Sequence, residues 1–338
     1  MVSEAIERAV NAQELDGPLM ESAMGSILSG EASDAQIAAF LVAMRMKGET
    51  AEELAAAARV MLRHCVRVPF RSDGVVLDTC GTGGDGLGTF NISTVSAIVT
   101  ASCGVTVAKH GNRAASSKAG SADLLEALGV TIEMPAERVA ECLERIGVGF
   151  MFARSHHPAM RFAAPVRSQL AIRTLFNLLG PLTNPAGATH QVLGVFAAER
   201  VEQMARVLGL LGSRGAWVVH GAEGMDEVSV CGTTRVARLA QGELSVVELQ
   251  PEDFGVERAD RDALTGGDAE QNAAIARAIL AGEKGPRRDA VVVNSAAALC
   301  AATQVGSPVQ GAVRAAEALD SGAAEAKLRE WVELSRAG

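Results

Sequence analysis

Residues 78–129 read DTCGTGGDGLGTFNISTVSAIVTASCGVTVAKHGNRAASSKAGSADLLEALG, from Asp78 to Gly129. A short apolar run, Val75 to Leu77, leads into them and reads as a buried strand. Gly81, Gly83, Gly84, Gly86 and Gly88 then fall within eight residues. Glycine reaches positive φ without steric cost and lets the backbone approach a ligand closely. A glycine-rich turn leaving a strand can therefore aim backbone N–H groups at an anion, usually a phosphate. Asn91-Ile92-Ser93-Thr94 follows, and then an apolar helical run from Val95 to Ser102. Asn, Ser and Thr are preferred N-caps, and a helix start attracts anions through its free N–H groups and dipole. The first half is thus one unit: strand, glycine-rich loop, capped helix.

The second half repeats that logic. Val105 to Ala108 reads as a strand that delivers Lys109, His110, Gly111, Asn112 and Arg113. Ser116, Ser117, Lys118 and Gly120-Ser121-Ala122-Asp123 come next, before a helix from Leu124 to Leu128. Basic residues, small hydroxyls and glycines at two adjacent strand ends suit a ligand with two phosphate groups. The P-loop pattern G-x-x-x-x-G-K-[ST] is absent. A flexible surface loop is the plainer reading of the glycines alone, and the second strand end argues against it.

Working outward, 338 residues suffice for one large domain or two. At 48% hydrophobic and 21% charged, the composition is that of a soluble globular protein. The net charge of −9 and the lack of a long basic run argue against nucleic acid as the main partner. An anionic substrate would need local cations, for which Lys109, Arg113, Lys118, Arg161, Arg167 and Arg173 are candidates. The cysteines at 65, 80, 103, 142, 231 and 300 are widely spaced with no CxxC, so reduced thiols are expected rather than disulfides or a zinc site. Cys80 touches the glycine-rich loop, but a small apolar residue ending a strand explains it better than a nucleophile does. Glu4, Glu7 and Arg8 interrupt the N-terminus, so no signal peptide is expected. No long apolar run predicts a membrane span, and the expected location is the cytoplasm.

Residues 1–70 read as helices only: Glu4 to Asn11, Pro18 to Ser29, Asp34 to Met46 and Ala51 to Arg63. Ile37, Phe40, Leu41 and Met44 form a stripe that fits either a bundle core or a partner interface. From Val75 onward, strand–loop–helix alternation predicts a parallel sheet with helices on its faces. A helix over Pro135–Ile146, strands over Val148–Phe152, Thr189–Phe196 and Trp217–His220, and a helix over Arg200–Leu211 continue it. Val228–Val230, Arg235–Ala237 and Leu244–Leu249 suggest short antiparallel strands, and residues 269–337 read as terminal helices. Asp226 and Glu227 lie just past a strand end, where they suit either a hard cation or a solvated acidic turn.

GTGGDG at 81–86, NIST at 91–94, KHGNRAASS at 109–117 and GSADLLEALG at 120–129 resemble the signature blocks of the anthranilate phosphoribosyltransferase family. Its fold is shared with the pyrimidine nucleoside phosphorylases. HHPAMRFAAPVRSQLAIRTLFNLLGPLTNPAG, residues 156–187, is similar to a second signature, in which an arginine faces the aromatic acid; Arg167 aligns with it. An arginine fork matches a carboxylate bidentately, whereas a salt bridge on a solvated helix face is the plainer role. Two departures occur: Ala153-Arg154 stands where the family usually has Ala-Pro, and Ala171 where it usually has Gly. His156 and His157 are expected to be structural, since no carboxylate or Cys lies at metal-ligand spacing.

The resemblance implies an α/β fold with a small N-terminal helical domain and a large domain built on a mainly parallel central sheet flanked by helices. Residues 1–70, joined by helices from about 171–188, would form the helical domain and the dimer contact. Residues 71–338 would form the phosphoribosyl-binding domain. It implies transfer of the phosphoribosyl group from phosphoribosyl pyrophosphate to the amine of anthranilate, a step of tryptophan biosynthesis. Phosphoribosyl pyrophosphate would be held by Gly81, Gly84, Asp85, Thr89, Asn91, Ile92, Ser93, Thr94, Lys109, His110, Gly111, Asn112, Arg113, Ala114, Ala115, Ser116, Ser117 and Ser121. Gly81, Asn112 and Arg167 would hold anthranilate, and Ser93, Asp226 and Glu227 would hold two Mg²⁺ ions per subunit. No acid–base constellation is implied; Lys109 supports leaving-group charge. A homodimer with no nucleic-acid or membrane partner is expected. The alternatives are a pyrimidine nucleoside phosphorylase and a non-catalytic nucleic-acid-binding homologue.

Overall fold

The computed structural model describes residues 1–114 and 118–337. Ala115, Ser116 and Ser117, expected in the phosphate-binding set, lie outside the described residues. Four helices open the chain: α1 (Val2–Val10), α2 (Gly17–Leu28), α3 (Asp34–Lys47) and α4 (Ala51–Arg63). Their starts are encoded locally. Asp16 caps α2, while Ser33 with Gln36 and Thr50 with Glu53 form capping boxes on α3 and α4. Buried Glu53 also accepts the Leu15 N–H and a Lys47 Nζ hydrogen, each at 2.8 Å, and so locks α3 and α4 to the loop before α2.

From Val76 the chain alternates: β1 (Val76–Gly81), α5 (Ile92–Ser102), β2 (Thr106–Gly111), α6 (Ser121–Leu128), α7 (Ala136–Ile146) and β3 (Val148–Phe152). Then come α8 (Ala153–His156), α9 (Ala164–Leu170), α10 (Leu175–Leu179), β4 (His190–Gly194), α11 (Arg200–Leu210), β5 (Gly215–Gly221), β6 (Thr234–Ala240) and β7 (Glu243–Leu249). The chain closes with α12 (Ala269–Leu280), α13 (Pro286–Ala301), α14 (Pro308–Asp320) and α15 (Ala323–Arg336).

The seven strands form one sheet in the order β3-β2-β1-β4-β5-β6-β7. β1 to β5 are parallel, and β6 and β7 add antiparallel at one edge. Successive side chains on a strand point to opposite faces, and both faces are covered. On β5, Trp217 and Val219 join an apolar cluster with α5, α6, α7 and α12–α15. Ala216 and Val218 join a second cluster with α1–α4, α10 and α11. The expected α/β class with an N-terminal helical part and a mainly parallel sheet is the one observed.

Three expectations are corrected. β2 does not stop at Ala108: its parallel ladder continues through Lys109↔Phe150, His110↔Met151 and Gly111↔Phe152, because β3 supplies partners that far. Val228–Val230 is not a strand. The Val228 N–H donates to Asn294 Oδ1 at 2.9 Å and the Val230 carbonyl accepts the Ala259 N–H at 2.9 Å, so these backbone groups are spent outside any ladder. The stripe Ile37, Phe40, Leu41 and Met44 is no partner surface: all four are at most 1% exposed and form bundle core.

Candidate active site

The order of strands locates the site. The chain leaves β1 for β2 and β3 on one side, then returns to β4 and β5 on the other. Ligands in such sheets bind in the crevice beyond the carboxyl ends of the strands at this reversal. Here the two strands that flank it end on glycines paired in register, Gly81 and Gly194. The reason for glycine is contact with the loop after β5. A Cβ on Gly194 would lie 1.6 Å from the Asp226 carbonyl oxygen, and one on Gly81 would lie 2.6 Å from Asp226 Oδ2. The pair of missing side chains is the slot in which Asp226 sits.

The glycine-rich loop is built around that slot. Gly83, Gly84, Gly86 and Gly88 all take φ between 66° and 77°, the left-handed region that side chains disfavour. The Gly83 N–H donates to Asp226 Oδ2 at 2.9 Å, the Thr82 N–H to the Gly194 carbonyl at 2.9 Å, and Arg173 Nη1 to the Gly84 carbonyl at 3.1 Å. Farther along, the Gly266 N–H donates to the Gly88 carbonyl and the Phe90 N–H to the Leu264 carbonyl, while Thr89 bridges Thr265. Gly81, Gly83 and Gly86 have the spacing G-x-G-x-x-G, yet α5 begins only at Ile92. The turn is therefore not the tight dinucleotide turn in which the glycines open the helix directly.

Asn91 stands at the N-cap of α5, as its sequence context suggests, but its side chain makes no capping bond. Ser93 N–H is instead taken by Glu227 Oε1 at 3.0 Å. Ile92 and Thr94 point into the core, and the Thr94 hydroxyl has no partner among the described residues. Asp85 lies against Asp226. The site thus gathers Asp85, Asp226 and Glu227, none of them in an ion pair among the described residues, with Lys109 the cation beside Glu227. Burial first, and Asp85 second, push the Asp226 carboxyl up to about 7; burial and then Asp226 push Glu227 up to about 8. Crowded, half-buried carboxylates of this kind gain most from a hard divalent cation. Among the described residues no group of three or more His, Cys, Asp or Glu side chains is arranged to chelate a metal alone. A cation on Asp226 and Glu227 would draw its remaining oxygens from water or a ligand, as magnesium does.

The second strand end differs from its expectation in one respect. Lys109 does not project from a loop: it lies within β2, 1% exposed, and its Nζ donates to the Thr79 carbonyl. Burial lowers its pKa, while Asp78, Cys80 and Glu227 raise it. Asp78 is fully buried; it accepts the His110 N–H at 3.0 Å and an Asn184 Nδ2 hydrogen at 2.9 Å. His110 and His157 face each other with ring centroids 5.1 Å apart, and burial lowers both, His157 to about 4. His156 Nδ1 bonds the Val66 carbonyl at 2.8 Å, a structural role as expected. Gly111 admits Ser121: a Cβ there would sit 2.1 Å from Ser121 Oγ, which donates to the Asn112 carbonyl at 3.2 Å. Asn112 and Arg113 are exposed; Arg113 pairs with Asp123 and bidentately with Glu126. The Ala114 N–H donates to Asp123 Oδ2 at 2.9 Å.

Arg167 is carried by α9, stacked over the Phe176 ring at 5.3 Å. It is half-buried, burial lowers its pKa, and it makes no ion pair among the described residues, so the solvated salt bridge is not what it forms. Its helix ends at Ala171, whose φ of +51° is the left-handed conformation that favours glycine. Arg154 is exposed on α8. Cys80 accepts a hydrogen bond from Gln191 and burial pushes its thiol well up, which removes it as a nucleophile; all six cysteines are free. Residues that sequence reasoning missed include Gly194, Asp78, Asn184 and Asn272. Only Gly194, a glycine closing an apolar strand, carried a local signal.

Two family models match the chain: the helical bundle domain of a glycosyl transferase family over residues 3–65, and its α/β domain over residues 73–325. The chain is 51% identical over 336 residues to an anthranilate phosphoribosyltransferase of Desulfatibacillum aliphaticivorans, covering 99% of each protein. It superposes on the crystal structure of anthranilate phosphoribosyltransferase from Thermus thermophilus with a TM-score of 0.94, at 48% identity, covering 98% of this chain and 99% of that one. The Saccharomyces cerevisiae enzyme in complex with PRPP and Mg gives a TM-score of 0.90 at 28% identity, covering 99% and 97%.

Proposed function

This chain belongs to the anthranilate phosphoribosyltransferase family, and from that premise we propose how its residues divide the work. The enzyme transfers the phosphoribosyl group from phosphoribosyl pyrophosphate to the amine of anthranilate, releasing pyrophosphate and N-(5-phosphoribosyl)anthranilate in tryptophan biosynthesis. The observation that carries the residue assignment is the slot between Gly81 and Gly194 that seats Asp226 beside the glycine-rich loop.

The aryl amine is already nucleophilic, so the chemical burden is the departing pyrophosphate and the cationic ribose. The Gly83 and Ser93 N–H groups, spent on Asp226 and Glu227, hold those carboxylates fixed beside the developing charge, and groups fixed in advance cost no reorganisation as the bond breaks. Ser93, Asp226 and Glu227 would hold Mg²⁺, two ions per subunit. Bound there, magnesium supplies Lewis-acid neutralisation of the pyrophosphate oxygens. Lys109 would support the leaving-group charge, with its Nζ held on the Thr79 carbonyl within β1. On the phosphoribosyl side we assign Gly81, Gly84, Asp85, Thr89, Asn91, Ile92, Ser93, Thr94, Lys109, His110, Gly111, Asn112, Arg113, Ala114 and Ser121, with Ala115, Ser116 and Ser117 joining them on sequence alone. Gly81, Asn112 and Arg167 receive anthranilate, with the Arg167 guanidinium unspent on any acid among the described residues and therefore open to the substrate carboxylate. Holding both substrates in line adds the entropic gain of a pre-assembled pair.

Residues 1–70, with helices from about 171–188, form the helical domain, and residues 71–338 form the phosphoribosyl-binding domain. The first domain contributes the homodimer contact. Its support is not the buried stripe on α3 but exposed apolar side chains nearby, Val10 at 69% and Met46 at 82%. The cytoplasm is the proposed location. The test of the reaction is anthranilate fluorescence in a mixture with phosphoribosyl pyrophosphate and Mg²⁺. A fall that needs both the sugar phosphate and the metal supports the reading. Persistent fluorescence with folded protein refutes it.

A further inference from the structure

Asn272 lies in the first turn of α12, 2% exposed and 181 residues from Asn91 in the chain. Its side chain is spent at both ends. Oδ1 accepts the Gly267 N–H at 2.7 Å, and Nδ2 donates to Asn91 Oδ1 at 3.0 Å. Asn91 in turn donates from Nδ2 to the Ala119 carbonyl at 3.0 Å. The two ends of this relay are backbone groups of fixed sign. An N–H only donates and a carbonyl only accepts, so the Gly267 N–H dictates which way the Asn272 amide faces. That orientation dictates the Asn91 amide, which arrives at Ala119 with the correct sign.

We propose that Asn272 is a positioning residue for the phosphoribosyl site: it sets the amide orientation of Asn91, so that Asn91 ties the exit of the glycine-rich loop to the second strand-end segment instead of capping its own helix. This rests on the assignment of Asn91 to phosphoribosyl pyrophosphate given above. Three observations join in it. Asn91 occupies an N-cap position and makes no capping bond. The N–H it would cap, that of Ser93, is free to be held by Glu227. The turn carrying Gly267 is seated on the loop, since the Gly266 N–H donates to the Gly88 carbonyl at 2.9 Å and a Cβ on Gly266 would lie 2.6 Å from Phe90 N. Asn272 thus transmits the position of α12 to both halves of the site at once.

Asn272→Asp tests this with little change of shape. The carboxylate still accepts the Gly267 N–H but offers only acceptors to Asn91. Asn91 must turn its Nδ2 toward it and present Oδ1 to the Ala119 carbonyl, which breaks the tie. The expected result is a KM for phosphoribosyl pyrophosphate raised roughly five- to 150-fold, the range for one buried polar group left unpaired, with the anthranilate KM within about twofold of wild type. In an Asn91→Ala background the Asn272→Asp change should have no further effect on that KM. A merely structural asparagine would lower the melting temperature and leave the two KM values in their original ratio, which would overturn the proposal. Where Asn272→Asp does not fold, Asn272→Ala removes both bonds without reversing either, and the same KM split decides. Wild-type protein that turns over no anthranilate would instead count against the assigned reaction, and the two failures are thereby separable.

Discussion

Gly81→Ala puts a methyl group 2.6 Å from Asp226 Oδ2 and 3.3 Å from its carboxyl carbon. To reach even 3.0 Å the oxygen must withdraw by about 0.4 Å. That motion is directed away from β1, and it opens the 2.9 Å bond from the Gly83 N–H. A charged hydrogen bond of this kind contributes about 1.5–3 kcal/mol, or roughly ten- to 150-fold. The protein should stay folded, because the obstacle is a side-chain end that can rotate. The expected outcome is a fall of that size in kcat/KM for phosphoribosyl pyrophosphate, partly recovered by excess Mg²⁺, in the anthranilate fluorescence assay. Gly86→Ala is the control: its φ is +75° and nothing lies within 4 Å, so it adds only backbone strain of about 1–2 kcal/mol. Gly81→Ala that matches Gly86→Ala in rate and in metal dependence would refute the slot as the device that places Asp226.

Arg167→Ala should raise the anthranilate KM about ten- to 100-fold through loss of a bidentate carboxylate contact while leaving that of phosphoribosyl pyrophosphate nearly unchanged; equal effects on both would remove Arg167 from the acceptor site. The metal-free protein should lose stability as pH rises from the ordinary carboxylate range up to about 7 and about 8, where the loss levels off, because Asp226 and Glu227 hold their protons more tightly folded than unfolded. Buried His110, His156, His157 and His190 are lowered and oppose this trend up to about pH 7.5, while the raised thiols of Cys65, Cys80, Cys103, Cys142, Cys231 and Cys300 add to it above about pH 7.5, so the two acids are isolated by subtracting the melting-temperature profile of an Asp226→Asn, Glu227→Gln protein between about pH 5 and 8.5. A flat difference there would contradict the assignment. Asp78→Ala leaves the His110 N–H and an Asn184 Nδ2 hydrogen buried without their acceptor and should cost about 2–5 kcal/mol in urea unfolding; a loss under about 1 kcal/mol would show that these donors find other partners.

By itself the sequence determined the elements and the kind of chemistry. Short apolar runs and period-3.6 apolar spacing marked the strand–loop–helix alternation, Ser33 and Thr50 marked two of the helix starts, and the clustered glycines marked the loop that leaves β1. These are short-range effects, decided by backbone sterics and by side chains a few residues apart. The signature blocks carried the reaction class for the same reason, since most of their residues lie in two contiguous strand-end segments. The tertiary structure alone decided how those segments are finished. Strand pairing with β3 drew Lys109 and His110 into the sheet, and the reversal of strand order between β1 and β4 set Gly81 opposite Gly194. Asp226 then entered from a loop 143 residues beyond Gly83, and Glu227 took the N–H that Asn91 leaves unused. Such contacts depend on which chain segments share an edge of the sheet once it has formed. No local pattern around Asp78, Asn184 or Asn272 encodes that, because each answers to a partner brought near only by the folded chain.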